Sequence, residues 1–219
     1  RCLDALRLAL TNSYSVLPSI RSLLLDPDAE VRARAVRASV LIETNRSENL
    51  EILEDVLDHG GPGTWSEANA FWWFARKHRP HGEEINPILL RLIAGIEGTN
   101  STVVEHRLLA LSAFGDRVKP LRQTLINAAF NESEEVRSRA CHLLGSNAYD
   151  DPEVMSLLVD IARSDSDENV RRWAKWALGE FGEASIKFAP DLETEIRNVI
   201  RDKEQLEIRR SIRSKAKLP

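Results

Sequence analysis

Apolar residues recur along the chain at helical rather than strand spacing, and the clearest run is 165–179. Val170, Ala174, Ala177 and Leu178 stand at i, i+4, i+7 and i+8, one face of an α-helix. Asp165 and Asp167 precede them, with side-chain oxygens able to accept from the free N–H groups of a first turn. Glu168 follows Asp165 at capping-box spacing. Ala174 is small enough to let a second helix approach, and Gly179 permits a left-handed C-cap.

The same spacing returns in weaker form. Val136, Ala140, Leu143, Leu144 and Gly145 repeat it, as do Val31, Ala35 and Ala38. His106, Ala110, Ala113, Phe114 and Gly115 fit with a histidine in the valine position. Ser66, Ala70, Trp73, Phe74 and Ala75 fit poorly at the start and well after it. A partial copy holds Ala5 and Leu8. The alanine column Ala5, Ala35, Ala70, Ala110, Ala140 and Ala174 has intervals of 30, 35, 40, 30 and 34 residues. A period in that range means stacked repeats. A second apolar segment follows most copies, opened by Pro18, Pro87, Pro120 or Pro190, since proline is tolerated in a first helical turn. The repeating unit is therefore helix, turn, helix. Pairs are expected near 1–25, 30–58, 64–97, 102–130, 134–163 and 167–207, in one domain with a basic tail over 208–219. The final segment is expected to run as one helix from about Ile186 past Leu206.

The run Val-Arg-x-x-Ala behind an acidic residue occurs as Asp28/Val31/Arg32/Ala35, Glu135/Val136/Arg137/Ala140 and Asp167/Val170/Arg171/Ala174. With the proline-opened second helix it resembles HEAT-like repeats of the short, bilin-lyase-related kind. That resemblance implies an all-α fold, a right-handed α–α superhelix of about five to six helix pairs. It also implies a role for Arg32, Arg107, Arg137 and Arg171, the arginine that in such repeats bridges to acidic groups in the adjacent inter-helix turn. For function it implies a range: scaffolds, adaptors, inhibitors and a few enzymes. A non-enzymatic protein-binding scaffold, or an adaptor or inhibitor of the immunity type, is the expectation. The alternatives are a nucleic-acid-binding alkylpurine DNA glycosylase or a bilin-lyase-like protein.

Charge narrows that range. A net charge of −4 argues against broad nucleic-acid binding. Two cysteines, Cys2 and Cys141, suit a reducing compartment, and a cytoplasmic location is expected. No apolar run approaches the length of a membrane span. There is no glycine-rich phosphate loop and no Gly-x-Ser-x-Gly elbow, so no cofactor is expected. His78 and His81 beside Glu83 and Glu84 form the nearest approach to a metal cluster, but they lack a third histidine and straddle Pro80 and Gly82. Cys141 and His142 are adjacent on a helix, about 100° apart, and do not make a nucleophile–base pair.

The partner is expected to be another protein, held by aromatic and basic anchors. The repeat around Ala70 departs most from the pattern and holds Trp65, Trp72 and Trp73. By template position Trp73 and Phe74 belong inside. Trp72 shares a column with Arg37, Ser112, His142 and Trp176, where polar residues are accepted and solvent is expected. Trp72, Trp176, Trp65, His142 and Arg37 are the candidate protein-binding residues. A second reading of Trp72 stays open, in which the segment 76–84 or stacked neighbours cover it.

Overall fold

The computed structural model describes residues 13–43, 45–59, 61, 63–78, 86–96, 100–147 and 151–215. Among them all regular secondary structure is helical. In order come α1 (Leu17–Ser22), α2 (Ala29–Ile42), α3 (Arg46–Asp58), α4 (Trp65–His78), α5 (Asn86–Ala94) and α6 (Ser101–Leu111). Then follow α7 (Arg122–Ala128), α8 (Glu134–Ser146), α9 (Pro152–Ser164), α10 (Glu168–Glu180), α11 (Glu183–Phe188) and α12 (Glu193–Lys215). The chain forms two compact units, residues 1–120 and 121–219.

Within the first unit the helices carrying the alanine column stack on one another, α2 on α4 and α4 on α6. Their companions α1, α3 and α5 pack beside them. The second unit repeats the scheme: α10 packs on α8 and α12, with α7, α9 and α11 as companions. Ala35, Ala70, Ala110, Ala140 and Ala174 are all fully buried, so the column is where neighbouring helices meet. Helix starts use the expected chemistry. Asp167 accepts from the N–H groups of Asn169 and Val170, Ser133 from that of Val136, and Asn100 from that of Val103.

Several boundaries differ from expectation, each for a local reason. Gly179 does not end its helix. It lies inside α10, buried, where an added Cβ would stand 2.5 Å from Val199 Cγ1. Gly145 is equivalent in α8, with a virtual Cβ 2.5 Å from Ala177 Cα. These glycines let helices of successive repeats touch at the backbone. The left-handed turn falls instead at Gly182, φ +61°. The helix expected from Ile186 is divided: Ala189, ahead of Pro190, takes φ −133° and ψ 75°, and α12 starts only at Glu193. In the pair expected over 102–130 the first helix stops at Leu111, and 112–121 is 3₁₀ with Gly115 at φ 52°, ψ −133°. The second helix of that expected pair is α-helical only from Arg122 to Ala128, after Pro120.

Candidate functional site

The turns before α2, α8 and α10 show what the recurring arginine does. In the first unit, Arg32 Nη1 donates to the carbonyls of Asp26 and Pro27 at 2.9 and 3.1 Å. In the second, Arg137 Nη1 donates to those of Asn131 and Glu132 at 2.9 and 2.8 Å, and Arg171 Nη1 to those of Asp165 and Ser166 at 2.6 and 3.1 Å. In all three turns the first residue also accepts the N–H of the third: Asp26 from Asp28, Asn131 from Ser133, Asp165 from Asp167. The side-chain loop closes the turn, and the arginine satisfies the carbonyls it leaves pointing outward. Arg137 adds a fork to the next repeat, donating from Nε and Nη2 to Asp165 at 2.8 and 3.0 Å. Burial pushes the Asp165 carboxyl up, but the bonds from Arg137 and the Asp167 N–H prevail and hold it below the usual carboxylate range. In these three repeats the arginine is a stacking device held by its own chain, whereas Arg107 donates from Nη1 to the Arg91 carbonyl at 2.7 Å and keeps its Nε buried without a hydrogen-bond partner.

A different column faces outward. Arg37, Trp72, Ser112, His142 and Trp176 occupy one position in successive helices, and each is half-buried. In the second unit it gathers an aromatic cluster. His142 of α8 stacks on Trp176 of α10, centroids 4.9 Å apart at 28°. Trp173 meets both rings edge-on, at 5.2 Å from His142 and 5.5 Å from Trp176. Lys203 of α12 places Nζ 5.0 Å from the Trp176 ring centroid and pairs with Glu180. Beside the cluster lies a groove of about 460 Å³, lined by Trp176, Glu180, Lys203, Glu204, Leu206, Glu207 and Arg210.

Burial, with the charge of Arg139 second, lowers the His142 pKa to about 4. Ser146 Oγ donates to the His142 carbonyl at 2.7 Å and lies 3.4 Å from Nε2. His142 Nδ1 is buried with no hydrogen-bond partner. Cys141 beside it is fully buried, and burial pushes its thiol up to about 12, so it is no nucleophile at neutral pH. Among the described residues no group of three His, Cys, Asp or Glu comes together to hold a metal. His81, Glu83 and Glu84 lie outside the described residues.

In the first unit the aromatic helix α4 corrects one expectation. Trp73 was expected inside, and it is 40% exposed. The buried face is Glu67, Ala70, Phe71 and Phe74, at i, i+3, i+4 and i+7. That spacing was present in the sequence, hidden because an acidic residue opens it. Glu67 is tolerated inside because Oε2 accepts the N–H groups of Gly63 and Thr64 at 2.5 and 2.9 Å. Thr64 Oγ1 accepts the Glu67 N–H in return, closing a capping box. Trp65 is 58% exposed, and Trp72 meets Trp73 edge-on at 5.4 Å. Arg37 lies on α2 with Nε buried and unpaired. Of the candidate residues, the structure thus joins His142 to Trp176. Trp65 and Trp72 share α4, and Trp173 is the member that template reasoning overlooked.

Comparison with known proteins agrees with this construction. The model for HEAT repeats matches residues 118–203, which contain the arginine fork and the aromatic cluster. Over that segment the chain is built of HEAT-like repeats. Its backbone is similar to the crystal structure of an engineered protein from the Northeast Structural Genomics Consortium, with TM-score 0.51 at 18% identity over 84% of this chain and 93% of that one. At such identity the likeness concerns the fold alone. No curated protein matches the sequence. No helix of the described residues is long and apolar enough to cross a membrane.

Proposed function

We propose that this HEAT-like protein is a non-enzymatic binding module, an adaptor or inhibitor, that holds another protein on the outward column of its stacked helices. The carrying observation is the half-buried cluster of His142, Trp173 and Trp176 beside an open groove. Arg32, Arg137 and Arg171 and the alanine column are taken up by contacts within the chain, whereas the outward column leaves half-buried aromatic rings in reach of solvent. Tryptophan with nearby charge is the composition of interface hot spots. Trp72, Trp65 and Arg37 are proposed as a second contact patch of the same kind in the first unit. A buried free thiol at Cys141 suits a reducing compartment, and the cytoplasm is the proposed location.

The test is affinity capture from a lysate of the organism that supplies the sequence, comparing the native chain with Trp176→Ala and Trp173→Ala. A protein retained by the native chain and lost with either substitution, at unchanged circular dichroism, supports the reading. Equal retention by all three chains, or no protein enriched over a blank matrix, overturns it.

A further inference from the structure

The groove beside Trp176 already contains a cation. Lys203 Nζ lies over the indole face at 5.0 Å, with its charge answered by Glu180. The attraction is that of an ammonium for the negative face of an aromatic ring. The lining carries three carboxylates, on Glu180, Glu204 and Glu207, against the two cations Lys203 and Arg210, a surplus of one negative charge. The third ring of the cluster adds no opposing charge, because His142 stays neutral at ordinary pH. The groove has room for a long side chain beyond Lys203, at about 460 Å³. Leu206, half exposed on the same lining, offers apolar surface for a methylene stem.

We propose that this groove recognises an arginine side chain of a basic segment of the partner protein, and that Lys203 is a built-in competitor for the same ring. The proposal rests on the protein-binding reading above and specifies its partner. Arginine fits better than lysine. A planar guanidinium stacks flat on an indole and presents a fork to carboxylates at its edge. Glu204 and Glu207 stand on one face of α12, three residues apart, where such a fork can meet them. An incoming guanidinium takes the ring face, and Lys203 swings out on its flexible stem toward Glu180 and solvent.

The experiment is a titration of the purified chain with the capped hexapeptide Ac-Gly-Arg-Gly-Gly-Arg-Gly-NH₂, followed through the tryptophan indole N–H signals by NMR. The control is the same peptide with citrulline for arginine, isosteric and uncharged. The expected result is a saturable shift of the Trp176 signal with the arginine peptide and none with citrulline. Lys203→Met removes the competitor and should tighten binding roughly two- to fivefold, the worth of one cation–aromatic contact near a surface. Trp176→Phe should weaken it, and Trp176→Ala should abolish it. If Trp176→Ala loses its fold by circular dichroism, Trp176→Phe alone decides that arm. Equal shifts with citrulline, an unmoved Trp176 signal, or weaker binding by Lys203→Met overturns the proposal. If the arginine peptide binds as expected while the lysate capture yields no protein, the groove chemistry stands and the adaptor reading falls.

Discussion

Helices α4 and α10 occupy the same place in their repeats and solve it with opposite charges. In α10 the residue after the valine column is Arg171, which donates to the carbonyls of the preceding Asp165–Ser166 turn. In α4 that position is Glu67, which accepts from the N–H groups of the preceding Gly63–Thr64 turn. The polarity of the turn and the charge of the side chain have reversed together. Burial differs too. The cation reaches out from a partly exposed site, while Glu67 is 1% exposed and faces Arg32 of the repeat before it, Nε to Oε1 3.9 Å. A repeat position is therefore defined by the backbone groups it must satisfy, and a change of turn forces a change of residue.

The two helices also rest on different faces. Position seven after the valine is Ala177 in α10, fully buried against Gly145, and Trp73 in α4, exposed. Position five is Phe71 in α4, fully buried, and Lys175 in α10, half-buried and paired with Glu195 at 3.2 Å. The residue that faces Ala177 from one repeat back is glycine, and its equivalent ahead of α4 is Val40. Without that glycine the backbones cannot close at position seven, so α4 leans on position five instead.

The sharpest way to break this comparison is to truncate the face α4 rests on. Phe71→Ala should cost about 3–5 kcal/mol, the range for emptying a buried aromatic site. Glu67→Ala should follow at about 1–3 kcal/mol, since two part-buried backbone donors lose their acceptor. Glu67→Arg, which restores the residue of the other repeats, should be at least as damaging because its donors would face donors. Denaturant unfolding checks all three. A Glu67→Arg chain as stable as the native one would show that the turn, not the charge, is interchangeable.

In the second unit the arginines should rank by what they hold. Arg137 satisfies two carbonyls and the Asp165 carboxylate, so Arg137→Ala should cost about 2–3 kcal/mol. Arg171 satisfies carbonyls alone, so Arg171→Ala should cost about 1–2 kcal/mol. Equal costs would mean that the fork to Asp165 adds nothing to stacking.

His142 gives a pH-dependent contrast with the first unit, where the same column holds Arg37 and Trp72. Its pKa is lowered from the ordinary 6.5 to about 4 on folding. The unfolded chain binds the extra proton first, so stability is full above about 6.5 and declines as pH falls toward 4. A half-buried ring tempers the loss to about 1–2 kcal/mol. His142→Phe keeps a ring against Trp176 and should flatten the decline between pH 6.5 and 4. Parallel stability curves for the two chains would place the titration elsewhere.

The alanine column was legible from the sequence because five small residues at a fixed offset have one purpose, close approach. The cap at Asp167 was legible because its chemistry is local. What escaped was set by tertiary partners. Gly179 reads as a helix end until Val199 is seen against it. Thr64 and Glu67 stand at capping-box spacing in the sequence, and that box forms; what the spacing does not tell is that Glu67 is also buried. Trp173 fell off the template because its column holds Arg34, Asn69, Leu109 and Arg139 in the other repeats, and only the stacking of α8 on α10 brings it to His142.

A small effect is expected at Trp73→Ala, and it tests the rotation of α4 most directly. Template position places this ring in the core, where its loss would rival that of Phe71. The structure leaves 40% of it exposed, at the flank of the face formed by Glu67, Ala70, Phe71 and Phe74, touching Trp72 edge-on. Losing that contact and a partly wet indole should cost about 1 kcal/mol or less, within the range of surface changes plus one aromatic pair. Trp65→Ala, on a more exposed ring, should cost less still. Any effect of Trp73→Ala should appear instead in partner binding, through the neighbouring Trp72. A loss of stability comparable to Phe71→Ala would mean that position seven is the buried one in α4 as it is in α10. The two repeats would then pack alike and differ only in the charge that seals their turns.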